Sequence, residues 1–222
     1  MGGLLSRLRA SPLWCRIGPF LIFATLTSVQ GTFGEESKYW MYVGKSVLGA
    51  VMLWLIWPSV KELRWTVSPE AVVVGVLVIV VWVGIDPYYP KLLHPERPWN
   101  PHAQFGAGTP LAWFFATARI VGSSLVVPGM EEMFYRSFLY RYVIRSDFEN
   151  VPLTQFHRIS FLATSTLFGF AHREWLAGIF CGLAYQWLVL RKGHLGDAMT
   201  AHAISNLLLG LWIVYKGAWQ FW

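Results

Sequence analysis

The sequence predicts an all-α membrane helix bundle of about seven or eight transmembrane helices. Composition is the first reason. Hydrophobic residues fill 55% of the 222 positions and charged residues only 14%, where a soluble domain carries about 25% charge. The chain therefore lacks the polar surface needed to coat a soluble globule. Thirteen Trp and a mean hydropathy of +0.44 point the same way. The second reason is that apolar runs of spanning length recur along the chain, separated by short polar breaks. So high an apolar fraction also excludes disorder.

The first expected span is Arg16–Gln30, preceded by Arg7 and Arg9. No Ala-x-Ala pattern follows it, so it reads as a retained anchor, not a cleaved signal peptide. The second is Tyr39–Trp57. The third, Pro69–Ile85, is the cleanest, with the run AVVVGVLVIVVWVGI. Asp86–Thr109 is the one long loop, rich in Pro, His and Trp, and its length suggests an ordered lid or flap. Pro110–Ile144 is too long for one straight span. Pro128-Gly129 is expected to bend or break it, and a break would bring the count to eight. His157–Arg173, Glu174–Arg191 and Leu195–Lys216 complete the set. Gly178 and Gly182 form a GxxxG in the sixth, expected to pack inside the monomer rather than at a dimer seam. No internal repeat is visible, which argues against an inverted-repeat transporter. The chain reads as one integral membrane domain over 1–222, with its chemistry-bearing core at about 110–216.

Charge supplies orientation. The formal net charge is +6 and the pI about 9.5, yet no basic run exceeds Arg191-Lys192, which argues against a nucleic-acid partner. With the N-terminus cytoplasmic, ten of the eighteen Lys and Arg fall inside. Lys38, Lys91, Arg97, Arg173 and Lys216 fall outside, and Lys45, Arg119 and Arg136 fall within the membrane. The expectation is N-in and C-out. Cys15 and Cys181 lie in separate apolar segments with no CxxC, so neither a disulfide framework nor a zinc site is implied.

Ionisable groups in a hydrocarbon core are expensive and usually face a bundle interior or a cavity. Four places stand out. In Glu131-Glu132-Met133-Phe134-Tyr135-Arg136, Glu132 and Arg136 are four apart and share a helix face. Glu131 is rotated about 100° from its neighbour, so one carboxylate can be paired while the other faces a cavity. The second place is Phe168-Gly-Phe-Ala-His172, where Phe168 reads as packing. The third is His202-Ala-Ile-Ser-Asn206, an imidazole and an amide on one face. Glu131, His172, His202 and Asn206 fall at roughly 10–22 Å depth at 1.5 Å per residue, compatible with one buried site built by three helices. The fourth place, Arg119, has no partner evident in sequence and either lines the cavity or snorkels. Taken singly, each group has a packing explanation. Two Glu, two His and an Asn at membrane depth together favour an active site, with ion or proton translocation as the other chemistry open.

Glu131-Glu132…Arg136, Phe168…His172 and His202…Asn206 resemble, in order, the EExxxR, FxxxH and HxxxN motifs of the CPBP family, the CAAX prenyl endopeptidase and bacteriocin-processing intramembrane proteases. The resemblance covers about Pro110 to Lys216. The text VVPGMEEMFYRSFLYRYV and the ending GAWQFW are similar to a bacterial subgroup, CAAX prenyl protease-related, that accompanies exosortase-type sorting systems. The resemblance implies a glutamate-type endopeptidase of the bacterial inner membrane, acting on membrane-associated protein or peptide substrates without an obligate metal or other cofactor. In that family's terms, Glu131 with His172 activates a water, His202 and Asn206 hold the oxyanion, and Glu132 and Arg136 support the helix. The chemistry is sound by itself: amide hydrolysis needs a base for water and donors for the oxyanion, each worth about 10²–10⁴-fold. Two rivals stand beside it. One is a zinc-dependent membrane protease with Glu131, His172 and His202 as ligands, although no HExxH is present. The other is a non-catalytic membrane scaffold or proton-coupled carrier of the same fold.

Overall fold

Every helix expected from the hydropathy pattern forms, and its ends follow local chemistry. A computed structural model describes residues 2–92 and 98–222, and all regular structure among them is helical. Arg97 and the middle of the long loop lie outside the described residues. Seven principal helices run in sequence: α1 (Pro12–Val29), α2 (Ser37–Ile56), α3 (Pro69–Ile85), α4 (Pro110–Ile144), α5 (Arg158–Phe170), α6 (Trp175–Lys192) and α7 (Gly196–Lys216). Helices α1, α3 and α4 begin alike, with a hydroxyl cap followed by Pro. Ser11, Ser68 and Thr109 accept the backbone N–H of Trp14, Ala71 and Ala112 at 3.2 Å each. The Pro after each cap supplies a helical φ where no N–H is required. Helices α6 and α7 stop at Gly193 and Gly217, both left-handed at φ +73° and +66°, a conformation in which glycine carries no Cβ penalty.

Five of the seven are long and apolar enough to cross a membrane by themselves: α1, α2, α3, α4 and α7. Helix α5, at 13 residues, spans about 20 Å against a hydrocarbon core of about 30 Å. Helix α6 runs unbroken but carries the polar Gln186 and ends in Arg191-Lys192. These two are held by each other instead. A Cβ built on Gly178 would lie 2.8 Å from Gly169 Cα, and one on Gly182 would lie 2.8 Å from Ser165 Cα. The GxxxG seam therefore closes α6 against α5 within the monomer.

Pro128 does not break α4. The helical run continues unbroken from Pro110 to Ile144, but the turns at 122–126 and 133–139 are π-helical. The Val127 N–H bonds the Gly122 carbonyl five residues back. The widened turn gives the proline ring the room it would otherwise take from the preceding carbonyl. The expected distortion is thus spread over two wide turns.

At the end of the bundle where α1 begins, Glu62 draws three elements together. Its Oε1 accepts from Arg16 Nη2 at 2.6 Å, Ser137 Oγ at 2.6 Å and Arg141 Nη2 at 2.9 Å. Burial alone would push the Glu62 carboxyl up; Arg16 beside it, with hydrogen bonds from Ser137 and Arg16, outweighs burial and holds it down to about 2. At the opposite end, Tyr39, Tyr42, Trp99 and Phe115 form a separate aromatic cluster. The described parts of the 86–109 loop pack onto this end: Trp99 lies 4.5 Å from Tyr39, Trp175 Nε1 donates to the Pro90 carbonyl at 2.9 Å, and Pro101–Phe105 is a short helix.

Candidate functional site

Helix α4 carries two adjacent carboxylates because its pitch turns them apart. Glu132 is completely buried and points at Arg136, with Oε2 3.2 Å from Arg136 Nε. That contact is an ion pair without hydrogen-bond alignment. Arg136 is held in turn by the Gly182 carbonyl, at 3.4 Å, and by the Phe168 ring, 4.4 Å from its guanidinium carbon. Phe168 is therefore packing, as the sequence suggests, and what it packs against is the cation.

Glu132 has a second partner that spacing along α4 does not reveal. Its Oε1 lies 2.9 Å from His202 Nδ1 on α7. Tyr185 on α6 stacks on the His202 ring at 4.9 Å and 20°. The Tyr185 hydroxyl meets Ser205 Oγ at 2.6 Å, and Ser205 donates to the His202 carbonyl at 2.9 Å. The imidazole plane is clamped on one face and along one edge. Its free nitrogen, Nε2, stands 3.9 Å from Glu131 Oε2. That oxygen has no hydrogen-bond partner among the described residues. Histidine 202 thus sits between the two carboxylates, bonded to one and facing the other.

His172 follows the end of α5, and its Nδ1 lies 2.8 Å from the Phe168 carbonyl. A carbonyl only accepts, so Nδ1 carries the proton and Nε2 is left with a lone pair. Trp82 meets the ring edge-on at 5.7 Å. Asn206 donates from Nδ2 to the Ser123 carbonyl at 2.8 Å, one N–H remaining unused. Ser123 belongs to the first π turn of α4, so the distortion around Pro128 also supplies the acceptor that orients the amide.

Glu131, His172, His202 and Asn206 all line one cavity of about 440 Å³, within the usual range of small-molecule and peptide pockets. The structure brings these four together and sets Glu132 and Arg136 behind them. Glu131 and His172 face the same space without direct contact. Among the described residues, no three His, Cys, Asp or Glu side chains stand close enough to hold one metal ion. Tyr185, Ser205, Lys45 and the Ser123 carbonyl also belong to this site and were not singled out by sequence. For Tyr185 and Ser123 no local signal exists. Ser205 is legible only as the i+3 neighbour of His202. Lys45 is visible solely as a charge inside a span.

Residues 111–208 match the family model described as Type II CAAX prenyl endopeptidase Rce1-like. The match takes in nearly all of α4, the whole of α5 and α6, and α7 as far as residue 208, with all seven of the motif residues. It covers less than half of the chain, leaving α1 to α3 outside. This Rce1-like match supports the CPBP resemblance and, coarsely, a membrane protease. No match was found among the curated proteins or among the solved structures.

Proposed function

We propose that this chain is an intramembrane endopeptidase of glutamate type, cutting a peptide bond in a membrane-associated protein. The observation that carries the reading is Glu131, which lines the cavity and sets Oε2, without a hydrogen-bond partner among the described residues, 3.9 Å from Nε2 of a clamped imidazole. Glu131 takes a proton from a water that His172 Nε2 also holds. The water oxygen bonds to the scissile carbonyl carbon, and the carbonyl oxygen becomes the oxyanion. Glu132 is already paired with Arg136 and accepts from His202 Nδ1–H. In this reading His202 carries a proton on both ring nitrogens throughout, and Nε2–H donates a hydrogen bond to the oxyanion without being transferred, beside the unused Asn206 N–H. Glu131 returns its proton to the leaving nitrogen as the C–N bond breaks, giving an acid and an amine. No metal is needed for any step. The chain's setting in this reading is a bacterial inner membrane, N-terminus cytoplasmic, in functional association with an exosortase sorting system.

The test compares membranes from cells expressing wild type, Glu131→Gln, His172→Ala or His202→Ala, by mass spectrometry of new peptide termini. Termini made by wild type should vanish in each variant while the protein stays folded in the membrane. Near wild-type cleavage by one variant would remove that residue from the mechanism. Zinc that copurifies at one equivalent and is lost with His172→Ala would favour a metal-dependent hydrolase instead.

A further inference from the structure

The cavity holds two cations that the proposed reaction does not use. Arg119 on α4 and Lys45 on α2 both line it. Arg119 lies among three rings, with its guanidinium carbon 4.5 Å from Trp99, 5.0 Å from Tyr42 and 5.3 Å from Trp222. Lys45 Nζ also stands 5.0 Å from the Tyr42 ring, so the two charges flank one aromatic face. Lys45 donates to Thr27 Oγ1 at 2.6 Å and to Gln30 Oε1 at 2.8 Å, both neutral acceptors. The Arg119 guanidinium makes no hydrogen bond among the described residues, although it carries five N–H donors. Neither cation forms an ion pair with a carboxylate there. Glu131 shares the cavity, but its ionic neighbour is His202.

Two like charges kept in a membrane-depth cavity without an anion are costly. Aromatic faces offset part of that cost and leave the Arg119 N–H groups open to a ligand in the cavity. A planar fork of donors beside an ammonium suits an oxyanion, and the oxyanion that a peptide substrate offers is a carboxylate. We propose that Arg119 and Lys45 form a subsite for a carboxylate of the peptide substrate, set apart from the bond that is cut. The inference rests on the peptidase reading. Twelve positions separate Arg119 from Glu131 on α4, roughly 18 Å of helix. As extended peptide that distance is about five residues. The subsite therefore measures the distance from an acidic group to the cleaved bond. The carboxylate can come from a free C-terminus or from an Asp or Glu side chain.

The test uses the full chain in nanodiscs, carrying Glu131→Gln so that no probe is consumed. The probes each carry a neutral BODIPY dye at the N-terminus and are Leu-Leu-Val-Ala with a free C-terminus, its C-terminal amide, and the amide of Leu-Asp-Val-Ala, read by fluorescence anisotropy. At least one carboxylate probe should bind tenfold or more tighter than the uncharged amide. Arg119→Met and Lys45→Met should each erase that preference without weakening the amide, and Arg119→Lys should retain part of it. The first and third probes separate a terminal from a side-chain carboxylate. Equal binding of acid and amide, absence of binding by all three, or equal weakening of all three by Arg119→Met despite an unchanged melting temperature would overturn the proposal. So would displacement of the acid probe by dioleoyl phosphatidate at stoichiometric amounts, which would assign the cations to a lipid phosphate. A carboxylate preference that depends on Arg119, in a wild-type protein that cleaves nothing, would keep the subsite and reject the peptidase.

Discussion

Glu132 is the residue on which most of the site depends, since it holds Arg136 with one oxygen and His202 with the other. Removing one partner of a buried pair costs about 3–5 kcal/mol because the other charge is stranded. Arg136→Ala should therefore lower both the melting temperature and cleavage. Glu132→Gln combined with Arg136→Met should recover part of the stability and none of the activity, because His202 then loses its carboxylate. A double variant no more stable than Arg136→Ala in thermal unfolding would contradict the pairing. Asn206→Ala should reduce kcat about 10²–10³-fold if its free N–H meets the oxyanion. A rise in KM with kcat unchanged would make it a substrate-binding residue. The i,i+4 spacing made the Glu132–Arg136 pair legible in the sequence, as it did the shared face of His202 and Asn206. The Glu132–His202 bond, between positions seventy apart, was not legible, because helix periodicity says nothing about which faces meet across a bundle.

Element boundaries were legible within two residues for five of the seven helices, but α1 begins at Pro12, four residues before the expected Arg16, and α5 ends at Phe170, three before the expected Arg173. The interior of α4 was harder. A Pro-Gly pair signals distortion but does not say whether the helix breaks or widens, and here neighbouring turns absorb it. The α5–α6 seam follows from small residues alone. At Gly182 an added Cβ would press on the backbone of Ser165, which cannot swing aside as a side chain can. Gly182→Ala should lower the melting temperature and loosen Arg136, whose Nη2 bonds the Gly182 carbonyl, while light scattering in detergent shows the same molecular mass. A change of mass with stability intact would move the seam to a dimer. The loop element bearing Glu62 is expected to respond to acid. Its carboxyl is depressed from an ordinary 4.5 to about 2, so its stabilising contribution is complete above about pH 4.5 and fades as pH falls through 2. Thermal melts of wild type and Glu62→Gln should differ most near neutrality and converge toward pH 2. A gap that stays constant over that range would contradict the ionic role.

At the scale of the whole molecule, the basic residues that predict orientation are also structural. Arg16 and Arg141 serve the Glu62 cluster at one end of the bundle, while the cavity extends from Glu131 toward the other end, where Gln30 and Trp222 lie. With the N-terminus cytoplasmic, that second end faces away from the cytoplasm. Impermeant maleimide on intact spheroplasts should then label Ala107→Cys and spare Ser59→Cys. Cys15 and Cys181 are both buried, so the introduced thiol is the one read. The reverse pattern would invert the topology. Composition made the bundle legible, and the motif spacing made the reactive residues of the cavity wall legible. The Tyr185 stack on His202 and the aromatic surroundings that Arg119 shares with Lys45 emerge only when the helices and the chain end pack together. The claim that joins these scales is that Glu131 activates water against a peptide bond. Proteoliposomes containing the purified protein and a membrane-protein fraction, incubated in ¹⁸O-water, test it directly by mass spectrometry of new C-termini. Wild type should yield termini carrying one ¹⁸O atom and Glu131→Gln should yield none; labelled termini produced equally by both would contradict the account.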